Sequence, residues 1–516
     1  MIKLKIGYRR LIVNRIFVTA ISLVVQIAWF FLCIIKLSEY SAYINAFFGL
    51  LSLAMVAYIV CKEDNPSYKI TWIILILTMP VFGGLLYLFA GNKKPAKRMY
   101  TRINATKENY RPMLTGSSSA DLISCTDPRN AATFRYIQNI SGYPVYKNTE
   151  VKYYPVGELM HRDMLEALGK AEHYIFLEYF IIREGNMWDS MLKILVDKAE
   201  SGVDIRIIYD DMGCVALLPP GYFRHLEALS PNIKCLAFNP VIPVLSLVMN
   251  NRDHRRIMVI DGHTAFNGGI NLSDEYINQN SPYGHWKDTG IRLRGEAVVN
   301  FTEMFLELWH TFRDTADTPD MTKYMPSVYG EGYKSDGYIQ PFYDTPLDRE
   351  ALSENVYIDI VSRACDYVYI FTPYLILDDN MKGALCLAAK RGVDVRIVTP
   401  GIPDKKLIYR LTRANYSPLL AAGVRIFEYS PGFIHAKSFV SDDKIGVVGT
   451  INLDYRSLFL HFECGTLIYD SSAVIDLRND SLDTIAKSRE ITLDNIKSYY
   501  RGTMFDALLR LLAPLL

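Results

Sequence analysis

A histidine and a lysine two residues apart, His435 and Lys437, are the pair in this sequence best suited to chemistry on a phosphate. They lie in the stretch F-I-H-A-K-S-F-V-S-D-D-K-I-G-V-V-G-T-I-N, which spans residues 433–452. An imidazole can attack phosphorus or move a proton, and a fixed ammonium can hold the phosphate oxygens. Asp442 follows in a turn, where aspartate commonly accepts hydrogen bonds from nearby backbone, so we expect it to brace that turn.

The same arrangement occurs a second time, upstream, in D-H-R-R-I-M-V-I-D-G-H-T-A-F-N-G-G-I-N. There His254, Arg256 and Asp261 keep the offsets of the histidine, the cation and the aspartate. Both copies continue with matched residues, which are Gly268 and Gly449, Ile270 and Ile451, and Asn271 and Asn452. One short motif is a weak signal, but matched positions in two places indicate an internal duplication. We therefore expect two imidazoles and two cations to face one phosphate, with both asparagines helping to bind its oxygens.

The residues around each motif predict the elements that position it. Because residues two apart on a strand share a face, the runs 433–440 and 445–448 predict a hairpin that presents His435 and Lys437 together. In the first half, strands are predicted over 151–156, 174–182 and 203–209, and helices over 159–171 and 188–199. This alternation predicts an α/β fold of two duplicated lobes that form one pseudo-twofold catalytic unit.

With its paired His-x-(Lys/Arg)-x4-Asp motifs, the chain resembles the phospholipase D superfamily, and its apolar front end makes it similar to the bacterial cardiolipin synthases within it. The stretches H-W-K-D-T, at 285–289, and N-L-D-Y-R-S-L, at 452–458, add to the narrower resemblance. The likeness covers residues 70–516. One position departs from the family, which usually has lysine where this chain has Arg256. Arginine keeps the charge but is bulkier, so we expect activity with altered geometry or rate; a lipid-binding protein without activity is the alternative.

The resemblance implies a mechanism and a set of site residues. The implied catalytic set is His254, Arg256, Asp261, His435, Lys437 and Asp442. His254 is the implied nucleophile, which forms a phosphohistidine, and His435 the implied acid and base; the residues alone do not order the two. The family also places a carboxylate after each motif to orient its imidazole, and by chain order Asp288 fits the first motif and Glu463 the second.

Other candidates have weaker support. Glu178 is a further acid that could lie near the pocket, and His285 and His461 remain undecided because they lie near the two carboxylates. No C-x-x-C pair occurs among the eight cysteines, and no histidine and cysteine spacing suits zinc. Since two fixed cations already serve the phosphate, we expect neither a metal nor a cofactor.

Three apolar runs, at 16–35, 44–61 and 70–90, are each close to the about 20 residues that cross a bilayer. Basic residues flank both ends of this region, which conflicts with three full spans under the positive-inside rule, so the number of spans stays open. The third run contains Pro80 and a Gly-Gly pair and could be broken or re-entrant. We expect a multi-pass protein of the bacterial plasma membrane, with its catalytic part in the cytoplasm as the resemblance also implies.

The predicted domains are a membrane anchor at 1–91, a basic linker at 92–130, a first lobe at 131–330 and a second lobe at 331–516 with a helical tail. The linker could contact anionic lipid head groups. The last stretch, 504–516, either lies on the bilayer or packs on the protein. The net charge of +1 supplies no general attraction for nucleic acid, so a nuclease of the superfamily is disfavoured.

The resemblance implies transfer of a phosphatidyl group from one phosphatidylglycerol to another, which yields cardiolipin and glycerol. Phosphatidylglycerol and anionic membrane lipids are the expected partners, and nucleic acid is not. Two alternatives remain within the same chemistry: a phospholipase D that uses water, and a transferase that uses another alcohol, such as ethanolamine.

Overall fold

The computed structural model describes residues 24, 27–28, 39–88, 94–110, 114, 123, 127–240, 251–313, 321–325, 333–334, 336–500 and 502–515. The chain divides into two compact units. The smaller comprises Met1–Met99, Val241–Asn250 and Ala507–Leu516, and the larger comprises Tyr100–Pro240 and Asn251–Asp506. The larger unit contains both histidine motifs.

The described α-helices are Glu39–Val60 (α1), Pro66–Thr78 (α2), Pro80–Leu86 (α3), Lys94–Tyr110 (α4), Pro128–Ser141 (α5), Gly157–Gly169 (α6), Asn186–Glu200 (α7), Asp211–Cys214 (α8), Tyr222–Leu229 (α9), Val298–Phe312 (α10), Leu352–Arg363 (α11), Asp379–Lys390 (α12), Lys406–Ala414 (α13), Tyr416–Ala421 (α14), Tyr455–Phe459 (α15), Ser472–Ala486 (α16), Leu493–Tyr499 (α17) and Met504–Leu512 (α18). Short 3-10 helices lie at Asp274–Ile277, Met321–Tyr324 and Ala513–Leu515.

The described strands are Thr149–Tyr154 (β1), Tyr174–Tyr179 (β2), Asp204–Asp210 (β3), Ile233–Phe238 (β4), Arg252–Asp253 (β5), Arg256–Ile260 (β6), Thr264–Gly268 (β7), His285–Lys287 (β8), Gly290–Gly295 (β9), Tyr338–Asp344 (β10), Tyr367–Phe371 (β11), Asp394–Pro400 (β12), Arg425–Tyr429 (β13), Gly432–Ile434 (β14), Ser438–Ser441 (β15), Ile445–Gly449 (β16), His461–Tyr469 (β17) and Ser488–Ile491 (β18).

In the smaller unit, a small apolar core joins α1 to α3 and consists of Ile59, Trp72, Ile76 and Tyr87. The predicted break in the third apolar run is confirmed: α2 ends at Thr78 and α3 begins at Pro80, whose ring cannot continue a preceding helix. The run at 16–35 lies outside the described residues except for three positions. Among the described residues, no helix combines the length and the apolar character needed to cross a membrane.

Two sheets with the same strand order form the larger unit, which confirms the duplicated α/β lobes. The first sheet runs β1-β9-β7-β6-β2-β3-β4, and the second runs β10-β17-β16-β15-β11-β12-β13-β18. In each sheet, three neighbouring strands pair in parallel with one another, and four further strands pair antiparallel. β18 is an additional edge strand of the second sheet. Strands β2 and β6 are buried at every residue, as expected for strands covered on both faces of a sheet.

The two lobes exchange short strands beside the histidine motifs. β5 pairs in parallel with the start of β17, so that Arg252 lies opposite His461. β14 pairs in parallel with β8, so that Phe433 lies opposite Trp286. Each motif is therefore entered from a strand that is bonded to the other lobe.

The prediction of one continuous strand through His435 and Lys437 is wrong. These residues lie between β14 and β15, where the chain leaves the pairing with β8 and enters its own sheet. The two side chains still meet, because the Lys437 ammonium lies 2.8 Å from His435 Nδ1. The hairpin itself is present as β15 and β16.

Helix α5 packs in the second lobe, although the predicted domain boundaries assign it to the first. Its side chains Phe134 and Ile137 lie in the apolar core of the second lobe, together with Val356 of α11. The first-lobe core starts later in the chain, at Tyr154. At the far end, the Leu511 carbonyl accepts a hydrogen bond from Thr71 within the smaller unit, while Met504 is exposed.

Candidate active site

The two motif aspartates brace the hairpins that carry the histidines. Asp261 accepts hydrogen bonds at 2.8 Å from three successive backbone amides, those of Glu172, His173 and Tyr174. Asp442 repeats the arrangement with the amides of Cys365, Asp366 and Tyr367. Neither carboxylate is hydrogen bonded to a motif imidazole, so the contacts of both are structural. Asp442 therefore braces the turn of its hairpin, as expected, and Asp261 does the same in the first lobe.

Replacing Asp442 by alanine should destabilise the fold more than it impairs chemistry. Three amides lose an acceptor, so we expect the free energy of unfolding to fall by about 1–3 kcal/mol. The specific activity of the folded protein should change by less than about threefold. Thermal unfolding and activity measured on the same preparations test this. Asp476→Ala, on an exposed face of α16, is the matched control, and a folded Asp442→Ala protein without activity would contradict the assignment.

The two motif imidazoles are buried and lie close enough to influence each other. The side chains of His254 and His435 are 8% and 9% exposed. Hydrogen bonds link the two sites: Arg256, beside His254, donates to Asn271, and Asn271 donates to the hydroxyl of Tyr276. Aromatic rings wall the two sites: the Phe180 ring lies 5.0 Å from His254 and the Tyr276 ring 5.4 Å from His435. Both predicted histidines therefore share one water-poor site.

Each imidazole is oriented by a carboxylate from the other lobe. His254 Nδ1 lies 2.7 Å from Glu463 Oε1, and His435 Nδ1 lies 2.6 Å from Asp288 Oδ2. Asp288 and Glu463 are thus the orienting acids, but the pairing predicted from chain order is wrong. The exchanged strands explain the reversal, because β17 carries Glu463 to the first motif and β8 leads directly into Asp288 beside the second.

The two cations lie beside their own imidazoles. The Arg256 guanidinium donates to His254 Nε2 at 2.8 Å and to the His254 carbonyl. The Lys437 ammonium lies 2.8 Å from His435 Nδ1 and also donates to the His435 carbonyl. Fixed positive charge at these positions can stabilise the charge that develops on phosphate oxygens.

The two asparagines do not have equivalent surroundings. Asn271 Oδ1 accepts hydrogen bonds from Arg256 Nε and from the Ile181 amide, each at 3.1 Å, and its amide donates to the Tyr276 hydroxyl. It holds Arg256 in place, which differs from the direct phosphate contact expected for it. Asn452 Oδ1 is buried and has no hydrogen-bond partner among the described residues, so this side chain can still bind an incoming group.

Burial and neighbouring charges disfavour the protonated form of both imidazoles. Burial and then the Arg256 charge lower the pKa of His254 well below its ordinary value. Burial and the Lys437 charge lower the pKa of His435 to about 3. The carboxylates differ: burial raises the pKa of Glu463 well above its usual range, whereas the His435 and Lys437 charges outweigh burial and lower the pKa of Asp288.

The Lys437 ammonium should give the reaction an alkaline limit. Burial lowers the pKa of Lys437 to about 7, so the cation is lost as the pH rises through that value. We expect kcat/KM to fall above about pH 7, whereas kcat should fall later because bound phosphate favours the ammonium. In Lys437→Arg the cation persists, and the alkaline limb should move up by more than about two pH units. Lys444→Arg, in the exposed turn of the same hairpin, is the control; a limb unmoved in Lys437→Arg would assign it to another group.

Several nearby side chains have structural roles or were not predicted. Glu178 forms a buried ion pair with Arg255 at 2.6 Å, which explains its burial without a role in the reaction. His285 Nδ1 lies 3.1 Å from the Tyr429 hydroxyl. His461 lies directly beside His254, with ring centroids 5.4 Å apart, and only the exchanged strand β5 brings it there.

One group of side chains could hold a metal ion. Ligand atoms of His254, His461 and Glu463 lie within 4.8 Å of one another, a two-histidine and one-carboxylate set of the type that binds zinc. The spacing in the sequence did not indicate it, because the three residues come from two lobes. An ion there would compete with the hydrogen bond between His254 and Glu463.

Comparison with known proteins agrees with the duplicated fold. The family profile described as "Cardiolipin synthase, PLD-like domain" matches residues 164–309 and 357–482, and one described as "Phospholipase D-nuclease N-terminal" matches residues 50–92. An uncharacterised protein of Streptococcus mutans is 42% identical over 469 residues, which cover 90% of this chain and 100% of that one. Cardiolipin synthase of Alkalihalophilus pseudofirmus is 31% identical over 471 residues, 90% of this chain and 92% of that one.

Among solved structures, phosphatidylserine synthase of Haemophilus influenzae has the same fold, with a TM-score of 0.54 and 15% identity over 73% of this chain and 95% of that one. The family profile covers a large part of both lobes, including the two histidines. The cardiolipin synthase of Alkalihalophilus pseudofirmus is matched over nearly its whole length. The protein therefore belongs to the cardiolipin synthase family of the phospholipase D superfamily and is an enzyme of the phosphatidyltransferase class.

Proposed function

We propose that the protein is a cardiolipin synthase, which moves a phosphatidyl group from one phosphatidylglycerol to a primary hydroxyl of a second and releases glycerol. The observation that carries the proposal is the pair of buried imidazoles, His254 and His435, each flanked by a cation and each held by a carboxylate of the opposite lobe. The cardiolipin synthases among its relatives support the choice of phospholipid substrates.

The first half of the proposed reaction forms a phosphohistidine. His254 Nδ1 is held by Glu463, which leaves Nε2 to attack phosphorus. Arg256 moves from Nε2 to the phosphate oxygens when substrate enters. The bond from phosphorus to the glycerol oxygen breaks as the bond to nitrogen forms, and His435 gives its proton to the departing oxygen. The ionised Asp288 and the incoming phosphodiester anion both favour the protonated form of His435 in this step.

The second half reverses these roles. The primary hydroxyl of a second phosphatidylglycerol gives its proton to His435 and attacks phosphorus, and the bond from phosphorus to His254 breaks. Cardiolipin is released, and both imidazoles return to their starting states. Because the site is lined by aromatic rings, little water competes with the lipid alcohol.

The deciding experiment incubates detergent-solubilised protein with phosphatidylglycerol and a chelator and measures the lipids by mass spectrometry. Cardiolipin with equimolar glycerol supports the proposal. Phosphatidic acid identifies a hydrolase, and a new headgroup in the presence of ethanolamine identifies a different transferase.

Added Zn²⁺ tests the group formed by His254, His461 and Glu463: an ion that binds there should inhibit, and the chelator should restore activity.

We further propose that the protein resides in the bacterial plasma membrane with its catalytic lobes in the cytoplasm. Cys365 is exposed on the second lobe and is a native reporter of sidedness. In intact cells, a membrane-impermeant maleimide should leave Cys365 unmodified, and it should label this residue after lysis. Mass spectrometry of the peptide that contains Cys365 measures the outcome, and labelling in intact cells would place the lobes outside.

A further inference from the structure

His461, the first residue of β17, lies beside His254 and has no part in the reaction described above. Its side chain is only 10% exposed, and Nδ1 lies 3.8 Å from Glu463 Oε1, beyond hydrogen-bond distance. Neither ring nitrogen has a hydrogen-bond partner in the part of the chain that the structure describes. Buried polar groups are nearly always bonded, so an imidazole in this state indicates a group that arrives with substrate.

Positive charge surrounds His461 in excess of what one phosphate needs. Arg252 lies opposite it across the pairing of β5 with β17. The side chains of Arg456 and Lys405 are exposed, and neither forms an ion pair with any residue that the structure describes. Arg456 lies one helical turn before His461, because the Leu460 amide donates a hydrogen bond to the Arg456 carbonyl at 2.9 Å. Burial first, and then the charges of Arg456, Arg252, Arg256 and Lys405, lower the pKa of His461 well below its ordinary value.

A second anionic group is present in the proposed reaction. The acceptor phosphatidylglycerol carries its own phosphodiester, one glycerol unit away from the hydroxyl that attacks. Arg256 and Lys437 already serve the phosphate that reacts. The acceptor's phosphodiester therefore needs cations and a hydrogen-bond donor close to, but separate from, the reacting imidazoles.

We propose that His461, Arg456 and Lys405 form a subsite for the phosphodiester of the acceptor lipid. This inference rests on the proposed function and identifies how the enzyme selects its acceptor. The imidazole donates a hydrogen bond to a phosphate oxygen, and the two exposed cations neutralise the charge of the phosphodiester. A phosphatidylglycerol then binds in preference to water or an uncharged alcohol.

Two soluble acceptors separate the headgroup from the acyl chains. Glycerophosphoglycerol carries a primary glycerol hydroxyl and a phosphodiester. Deuterated glycerol carries the hydroxyl but no phosphodiester. With phosphatidylglycerol as donor in detergent micelles, both are offered together and the two products are measured by mass spectrometry. The protein should prefer glycerophosphoglycerol by at least about tenfold, which corresponds to one charge-assisted hydrogen bond.

The variants Arg456→Ala and Lys405→Ala should each reduce this preference, and the double variant should abolish it. Both side chains are exposed, so the fold should tolerate the changes. Lys406→Ala, the exposed neighbour in α13, is the matched control and should keep the preference of the parent protein. Equal use of the two acceptors by the parent protein, or an unchanged preference in the double variant, would overturn the subsite alone. Absence of transfer to any acceptor would overturn the proposed function together with it.

Discussion

Replacement of either motif histidine by alanine is expected to abolish phosphatidyl transfer, with a loss of about 10⁴-fold or more for each. The loss follows because one imidazole forms the covalent bond to phosphorus and the other moves the proton, so neither half of the reaction proceeds with one of them. Cardiolipin formed from phosphatidylglycerol is the readout. His225→Ala, at an exposed position of α9, is the control and should retain full activity.

Partial function in one variant would identify the nucleophile. If His254 attacks, His435→Asn should still accumulate a slowly formed phosphatidyl-enzyme from phosphorus-labelled phosphatidylglycerol, whereas His254→Asn should form none. A phosphohistidine is stable to alkali and labile to acid, which distinguishes it from a phosphoester. Label on His435 in the His254→Asn protein would reverse the assignment, and normal turnover in either alanine variant would exclude a two-histidine mechanism.

Much of the first lobe could be predicted from local sequence. The strands predicted at 151–156 and 203–209 are observed as Thr149–Tyr154 and Asp204–Asp210, and the helix predicted at 188–199 as Asn186–Glu200. These elements have apolar patterns long enough to show a period. The duplicated motifs also predicted that His254 and His435 face one phosphate site, since each copy supplies one imidazole and one cation.

The exchange between lobes could not be predicted in this way. Strands β5 and β14 contain two and three residues, which is too short for any periodic signal. Their pairing partners lie far away in the chain, in β17 and β8, so only the packed lobes reveal them. The misassigned carboxylates and the continuous strand expected through His435 both follow from this exchange. The position of His461 beside His254 was unpredictable for the same reason.

The crossed carboxylates lead to the second large effect. Asp288→Asn and Glu463→Gln should each lower phosphatidyl transfer by about 100- to 10,000-fold, because the imidazole loses the group that fixes its tautomer and orientation. Glu463 is itself held by the hydroxyls of Thr450 and Ser457, so the amide cannot turn freely to restore the contact. Asp483→Asn, on an exposed face of α16, is the matched control for removal of a carboxylate.

Activity alone does not show which carboxylate serves which histidine, but the ring nitrogens do. In protein labelled with ¹⁵N at histidine, Asp288→Asn should shift the Nδ1 resonance of His435, and Glu463→Gln that of His254, since these pairs lie 2.6 and 2.7 Å apart. The opposite result would restore the pairing within each lobe. If the crossed pattern is observed, each lobe orients the imidazole of the other, and neither lobe alone contains a competent site. Separately expressed lobes should then be inactive, and activity should depend on their association.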